Sequence, residues 1–85
     1  MKKIAVISSI LEEPQKCQEL FNRVVSDYSR IVRGRMGIPF NEHGISVVSI
    51  TVVGTLNEIN SFTGKLGSLE SVTVKTAISK KEVKV

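Results

Sequence analysis

Apolar and polar positions along this chain change rhythm four times, and each change predicts an element boundary. Ile4, Val6, Ser8 and Ile10 alternate with Ala5, Ile7, Ser9 and Leu11. Both sets are largely apolar, which predicts a strand in the middle of a sheet covered on at least one side. Glu12-Glu13-Pro14 ends it and starts a helix. Proline suits the first helical position, where its missing N–H would have no acceptor, and the carboxylates sit where the helix dipole favours negative charge. Cys17, Leu20, Phe21, Val24 and Tyr28 then recur at i, i+3, i+4, i+7 and i+11, one face of an amphipathic helix. Glu19, Asn22, Arg23 and Ser26 lie off that face.

The second strand is expected within Ile31 to Ile38, where Gly34, Gly37, Arg33 and Arg35 suit an edge. Pro39 to Gly44 is a hairpin-length loop, and Ile45 to Val53 is the most apolar strand. After Gly54, Thr55 with Glu58 three residues later spells a capping box, each side chain bonding the other's free backbone N–H. Leu56, Ile59, Phe62, Thr63 and Leu66 mark the buried face of a second helix, and Gly67 is placed to end it in the left-handed conformation. A last strand runs from about Val72 to Ile78, with Val72, Val74, Thr76 and Ile78 on one side.

The order is β-α-β-β-α-β. Right-handed crossovers put both helices on one face of a four-stranded antiparallel sheet, with strands one and three central and two and four at the edges. This predicts an α+β, ferredoxin-like sandwich. The other sheet face also carries apolar residues, so a monomer would expose a patch of the kind that marks an interface. A homo-oligomer, dimer or tetramer, is expected.

Composition agrees with that fold. The chain has 85 residues, of which 41% are hydrophobic, enough for one domain and no second. Val and Ile outnumber all other apolar residues together, and β-branched side chains suit a pleated sheet. The formal charge of +4 lies in the ends: Lys2 and Lys3, then Lys80, Lys81 and Lys84 against Glu82. Residues 1–79 therefore read as a single neutral domain carrying a basic N-terminus, and 80–85 as a basic C-terminal tail. A high pI of this origin is weak support for a nucleic-acid face. No apolar run is long enough to span a membrane. The start resembles a signal peptide only superficially, because serines and Glu12-Glu13 follow and no small-residue cleavage pattern does. One cysteine builds no disulfide framework, so a cytoplasmic location is expected.

Little here points to chemistry. His43 is the only histidine, and with Cys17 and one carboxylate it is too dispersed to form a zinc site within one chain; no metal or cofactor is expected. No nucleophile lies near a base, so the chain is not expected to be an enzyme. Two Gly-x-x-Gly stretches, Gly34–Gly37 and Gly64–Gly67, could cradle phosphate. A bulge for the first and a helix C-cap for the second are the plainer readings. Arg30, Arg33 and Arg35 crowd one segment, which fits a charge-guarded edge or an anion site near a subunit boundary.

Arg35-Met36-Gly37-Ile38-Pro39-Phe40, followed by Gly44-Ile45 and a long apolar strand, is one half of a recognisable pattern. Asn60-Ser61-Phe62-Thr63-Gly64-Lys65-Leu66-Gly67, then Val72-Thr73-Val74-Lys75-Thr76, is the other. Over about residues 3 to 79 the chain resembles the small proteins called iron-only hydrogenase system regulators. The resemblance implies a stand-alone ACT-like domain, similar also to the regulatory domain of nickel-responsive repressors. Two departures matter. Glu12-Glu13-Pro14-Gln15 replaces the glycine-containing turn with which ACT domains bind amino acids, and His43 with Cys17 falls short of the ligands that nickel sensing needs. No helix-turn-helix or ribbon-helix-helix segment is present. The expected function is a small oligomeric regulatory or ligand-sensing module acting through a small-molecule effector or a protein partner. Its candidate effector or interface residues are Arg33, Arg35, Met36 and Gly37, with Gly64, Lys65 and Gly67 a second group. The alternatives are a purely structural assembly partner, or a nucleic-acid-binding protein using the Arg30–Arg35 segment and the basic ends. Nucleic acid is the less favoured partner and a membrane is not expected.

Overall fold

A computed structural model describes residues 1–84. The elements are β1 (Lys3–Leu11), α1 (Pro14–Asp27), β2 (Val32–Phe40), a 3₁₀ turn (Asn41–His43), β3 (Ile45–Gly54), α2 (Leu56–Gly67) and β4 (Val72–Ile78). The sheet order is β2-β3-β1-β4, every neighbouring pair antiparallel. The expected β-α-β-β-α-β sandwich is thus the observed one, with the two most apolar strands in the middle.

Ala5, Ile7, Ser9 and Leu11 of β1 and Val48, Ile50 and Val52 of β3 face the helices and are buried. Against them pack Cys17, Phe21 and Val25 of α1 and Ile59, Phe62 and Leu66 of α2. Tyr28 stacks on Phe62 with ring centroids 4.8 Å apart. Ser9 is the one buried polar residue of this layer, and its hydroxyl has no hydrogen-bond partner. The opposite alternating set forms a bare face. Ile4, Val6 and Ile10 of β1 and Met36, Ile38 and Phe40 of β2 are all exposed there.

Several expected details shift. The second strand runs on to Phe40, so the β2–β3 connection shrinks to a single 3₁₀ turn closed by Gly44 at φ 65°. The buried stripe of α1 passes through Val25 and leaves Leu20 exposed, because Cys17, Phe21 and Val25 at i, i+4, i+8 point at the sheet and Leu20 flanks them. Leu56 is likewise exposed in the first turn of α2. Gly67 does not adopt a left-handed conformation. It is the last helical residue, Ser68 follows in the right-handed region, and Ser68 N–H closes the helix on Gly64 O. Ser71 makes the left-handed step instead, at φ 62°, where its carbonyl accepts from Glu12 N–H. That conformation costs a non-glycine residue about 1–2 kcal/mol.

The capping box at Thr55–Glu58 forms as expected. Glu58 N–H donates to Thr55 Oγ1 at 3.1 Å and Thr55 N–H donates to Glu58 Oε1 at 2.8 Å. Gly54 just before it allows the close approach, since a Cβ there would lie 3.1 Å from Glu58 Oε1 and 3.3 Å from Ile31 Cγ2. Beyond β4 the chain stays attached to the start of β1. Ser79 N–H donates to Ile4 O, and Val83 N–H donates to Lys2 O, both at 2.8 Å. Val85, the last residue of the expected tail, lies outside the described residues.

Candidate functional site

A β-bulge decides what the second strand displays. Val32 pairs with Val52 and Gly34 with Thr51, so Arg33 is the extra residue between them. An extra residue reverses the alternation of everything after it. Arg35 therefore pairs with Ile50 and shares its helix-covered face, whereas Met36 pairs with Ser49 and turns to the bare face.

Arg35 and Gly37 line a groove between α1 and the β2–β3 ribbon, together with Leu11, Gln18, Pro39, Ser46 and Val48. Its volume is about 190 Å³, below the range of about 300–1,000 Å³ usual for small-molecule sites. Arg35 Nη2 donates to Asn22 Oδ1 at 2.6 Å, and its guanidinium carbon lies 5.6 Å from the Phe21 ring centroid. A planar cation resting on an aromatic face is held in place while keeping donors free. Gly37 leaves open space where a side chain would stand. The groove joins a fixed cation, the Gln18 amide and the Ser46 hydroxyl to apolar walls, a lining suited to a small molecule with one anionic end.

The other expected residues do not join this groove. Met36 is 63% exposed on the far side of the sheet. Arg33 lines a separate cleft at the opposite end of the strand, with Lys2, Arg30 and Glu58. Gly64, Lys65 and Gly67 lie on α2, which packs on β4 at the other edge of the sheet; Lys65 Nζ sits 5.3 Å from the Tyr28 ring centroid. Gln18 and Asn22 were not foreseen as site residues. Their signal is present in the sequence: a polar i, i+4 pair just off the apolar stripe, on the flank of α1 that meets the edge strand.

Arg30 Nη2 pairs with Glu58 Oε2 at 3.2 Å. The Glu58 carboxyl titrates below its usual value. The main cause is the hydrogen bond from Thr55 N–H, opposed by partial burial and reinforced by the Thr55 hydroxyl and the charges of Arg30 and Lys2. His43 is exposed, 3.9 Å from Glu42 Oε1. Cys17 is buried, its thiol donating to Glu13 O at 3.5 Å. Among the described residues no three His, Cys, Asp or Glu side chains gather as metal ligands would. No helix is long and apolar enough to cross a membrane.

A family model, TM1266-like, described as "Iron-only hydrogenase system regulator, putative", matches residues 3–76. No curated protein matches the chain. Among solved structures, the uncharacterized protein TM1266 from Thermotoga maritima superimposes with a TM-score of 0.89 at 24% identity, over 94% of this chain and 100% of that one. The ACT domain of GTP pyrophosphokinase from Chlorobium tepidum gives a TM-score of 0.77 at 16% identity, over 91% of this chain and 100% of that one. SnoaB, a cofactor-independent oxygenase from Streptomyces nogalater, gives 0.56 at 11% identity, over 100% and 98%. These likenesses establish the ferredoxin-like, ACT-like fold. An ACT domain of a GTP pyrophosphokinase and a cofactor-independent oxygenase share it, so function has to be argued from the groove and the faces.

Proposed function

The chain belongs to the TM1266-like family of iron-only hydrogenase system regulators, and from that footing we propose that it is a non-enzymatic, oligomeric sensing module of the cytoplasm. The observation that carries this reading is a juxtaposition on one edge strand. β2 contributes Met36, Ile38 and Phe40 to a bare apolar face and Arg35 and Gly37 to an undersized polar groove. A second copy packed on the bare face buries the apolar residues. It also holds β2 rigid, which is how occupancy of the groove is communicated to the assembly. The effector is a small molecule with one anionic group for Arg35 and an apolar body for Leu11, Pro39 and Val48.

Two measurements on the same protein test it. Sedimentation at micromolar concentration is expected to show an oligomer. Backbone NMR spectra recorded with a panel of small carboxylates are expected to shift Arg35, Gly37 and Gln18 together for at least one compound, and Arg35→Ala to abolish the shift. A monomer, or shifts that survive Arg35→Ala, sinks the reading.

A further inference from the structure

The antiparallel order sends the start of β1, the α1–β2 turn, the end of β3 and the tail after β4 to the same end of a molecule 41 Å long. Lys2, remote in sequence, meets Arg30 and Arg33 there. Lys2, Arg30 and Arg33 line one cleft of about 560 Å³, whose remaining walls are Ile31, Val53, Thr55 and Glu58. The Val83–Lys2 bridge brings Lys84 to the mouth of an adjoining hollow.

We propose that this cleft is a binding site for a small phosphoanion of about two negative charges, distinct from the Arg35 groove. Glu58 is the only acid in the lining, and its charge is already consumed inside the protein. One oxygen caps Thr55 N–H and the other holds Arg30. Lys2 and Arg33 have no ion-pair partner among the described residues. The cleft thus holds three cations against one internally satisfied carboxylate, and a dianion restores neutrality. Phosphate and diphosphate oxygens suit the fork of Arg33 and the point charge of Lys2. Ile31 and Val53 provide an apolar wall for whatever group carries the phosphate.

Phosphate could be offered free or within a nucleic-acid strand, and the cleft favours the free form. Its three cations border a single cleft rather than a stripe along a surface. The aromatic ring of this end, Tyr28, is stacked on Phe62 and covered by Lys65, so it offers no platform for a base.

Calorimetry with inorganic pyrophosphate as the probe, at low salt and mildly acidic pH where it is mainly a dianion, tests the site on the full chain. Saturable binding is expected, weakened at least tenfold by Arg33→Ala and by Lys2→Ala. Lys75→Ala, which removes one exposed cation from the other edge strand, is expected to leave it within twofold. The exposed positions of Arg33 and Lys2 let both variants fold, which circular dichroism checks. No saturable binding, or an equal loss in Lys75→Ala, overturns the proposal. So does binding of single-stranded oligonucleotides that tightens with length and is reduced equally by all three substitutions, which would make the chain a polyanion binder without a built site. Arg35→Ala, in the separate groove, is expected to leave pyrophosphate binding at the cleft intact, so this site and the groove succeed or fail separately.

Discussion

Replacing Val6 by aspartate is the sharpest test of the bare sheet face. Val6 lies near the middle of that face, opposite Thr51 on β3 and Ala77 on β4, and is 40% exposed. Fully burying an aliphatic or aromatic side chain is worth about 1.5–3 kcal/mol, so covering the exposed part of Val6 returns about 1 kcal/mol. Ile4, Ile10, Met36, Ile38 and Phe40 are exposed to a similar or greater degree. Together the six offer about 6 kcal/mol per protomer, or about 12 kcal/mol for a symmetric pair. Association itself costs about 4–15 kcal/mol, so the net affinity is modest and each residue counts. Val6→Asp removes the apolar gain in both copies and leaves two carboxylates to be desolvated, at several kcal/mol per ion. The dissociation constant should rise by at least about 10³-fold, since each 1.4 kcal/mol is a factor of ten. Val6→Thr keeps the β-branched shape and should cost the oligomer far less. Sedimentation equilibrium from 1 to about 100 µM reads the result, with circular dichroism confirming that the small neighbours Thr51 and Ala77 tolerate the charge. A wild type that stays monomeric across that range refutes the argument. So does a folded Val6→Asp variant that assembles like the wild type.

Three further expectations concern the fold beneath the sites. Gly54→Ala places a methyl group 3.1 Å from Glu58 Oε1 and 3.3 Å from Ile31 Cγ2. Glu58 Oε1 and Ile31 must then each give by a few tenths of an ångström, which strains the Glu58 bond to Thr55 N–H. Losing that cap costs about 1 kcal/mol, so the melting temperature should drop by up to about 4–8 °C; an unchanged melting curve would show that the contact relaxes freely. Because the folded-state pKa of Glu58 is lowered from 4.5, its ionic contribution is present above that value and lost as pH falls through the folded pKa. The urea midpoint of the wild type should therefore exceed that of Glu58→Gln at pH 6 and approach it on acidification below about pH 4.5, whereas a gap independent of pH contradicts the assignment. Gly64→Ala adds a methyl group where no atom lies within 4 Å, in the interior of α2. It should stabilise the protein by about 0.5–1 kcal/mol in denaturant titration; a loss would point to a constraint on that glycine other than packing.

The effect of Gly54 and Glu58 shows how much was written locally. Thr55 and Glu58 are three residues apart, and a capping box needs nothing else, so it could be read before any fold was known. The α1 stripe was legible in period but not in phase. Leu20 and Val25 are both apolar and flank the same face, and only the position of the sheet selects Val25. Gly67 looked like the natural left-handed residue, yet the chain runs four residues further and reverses at Ser71. That serine's carbonyl is needed by Glu12 N–H from another part of the chain.

Element type, order and the central placement of β1 and β3 follow from the sequence by itself, because hydrophobic period and capping chemistry act over a few residues. The assignment of faces could not follow from it. Both alternating sets of β1 are apolar, so the pattern is nearly symmetric, and in β2 the single extra residue at Arg33 reverses the parity. Alternation puts Arg35 and Met36 on opposite faces in any case, and the bulge decides that Arg35 goes to the helices and Met36 to the open face. The reverse happened to Lys2: 28 residues before Arg30 in sequence, it meets Arg30 and Arg33 at one cleft because antiparallel strands return each connection to the same end of the sheet. Composition located the excess positive charge in the chain termini. Tertiary structure brought Lys2 from one terminus against two arginines of the domain body, where long-range strand pairing rather than local pattern sets the distances.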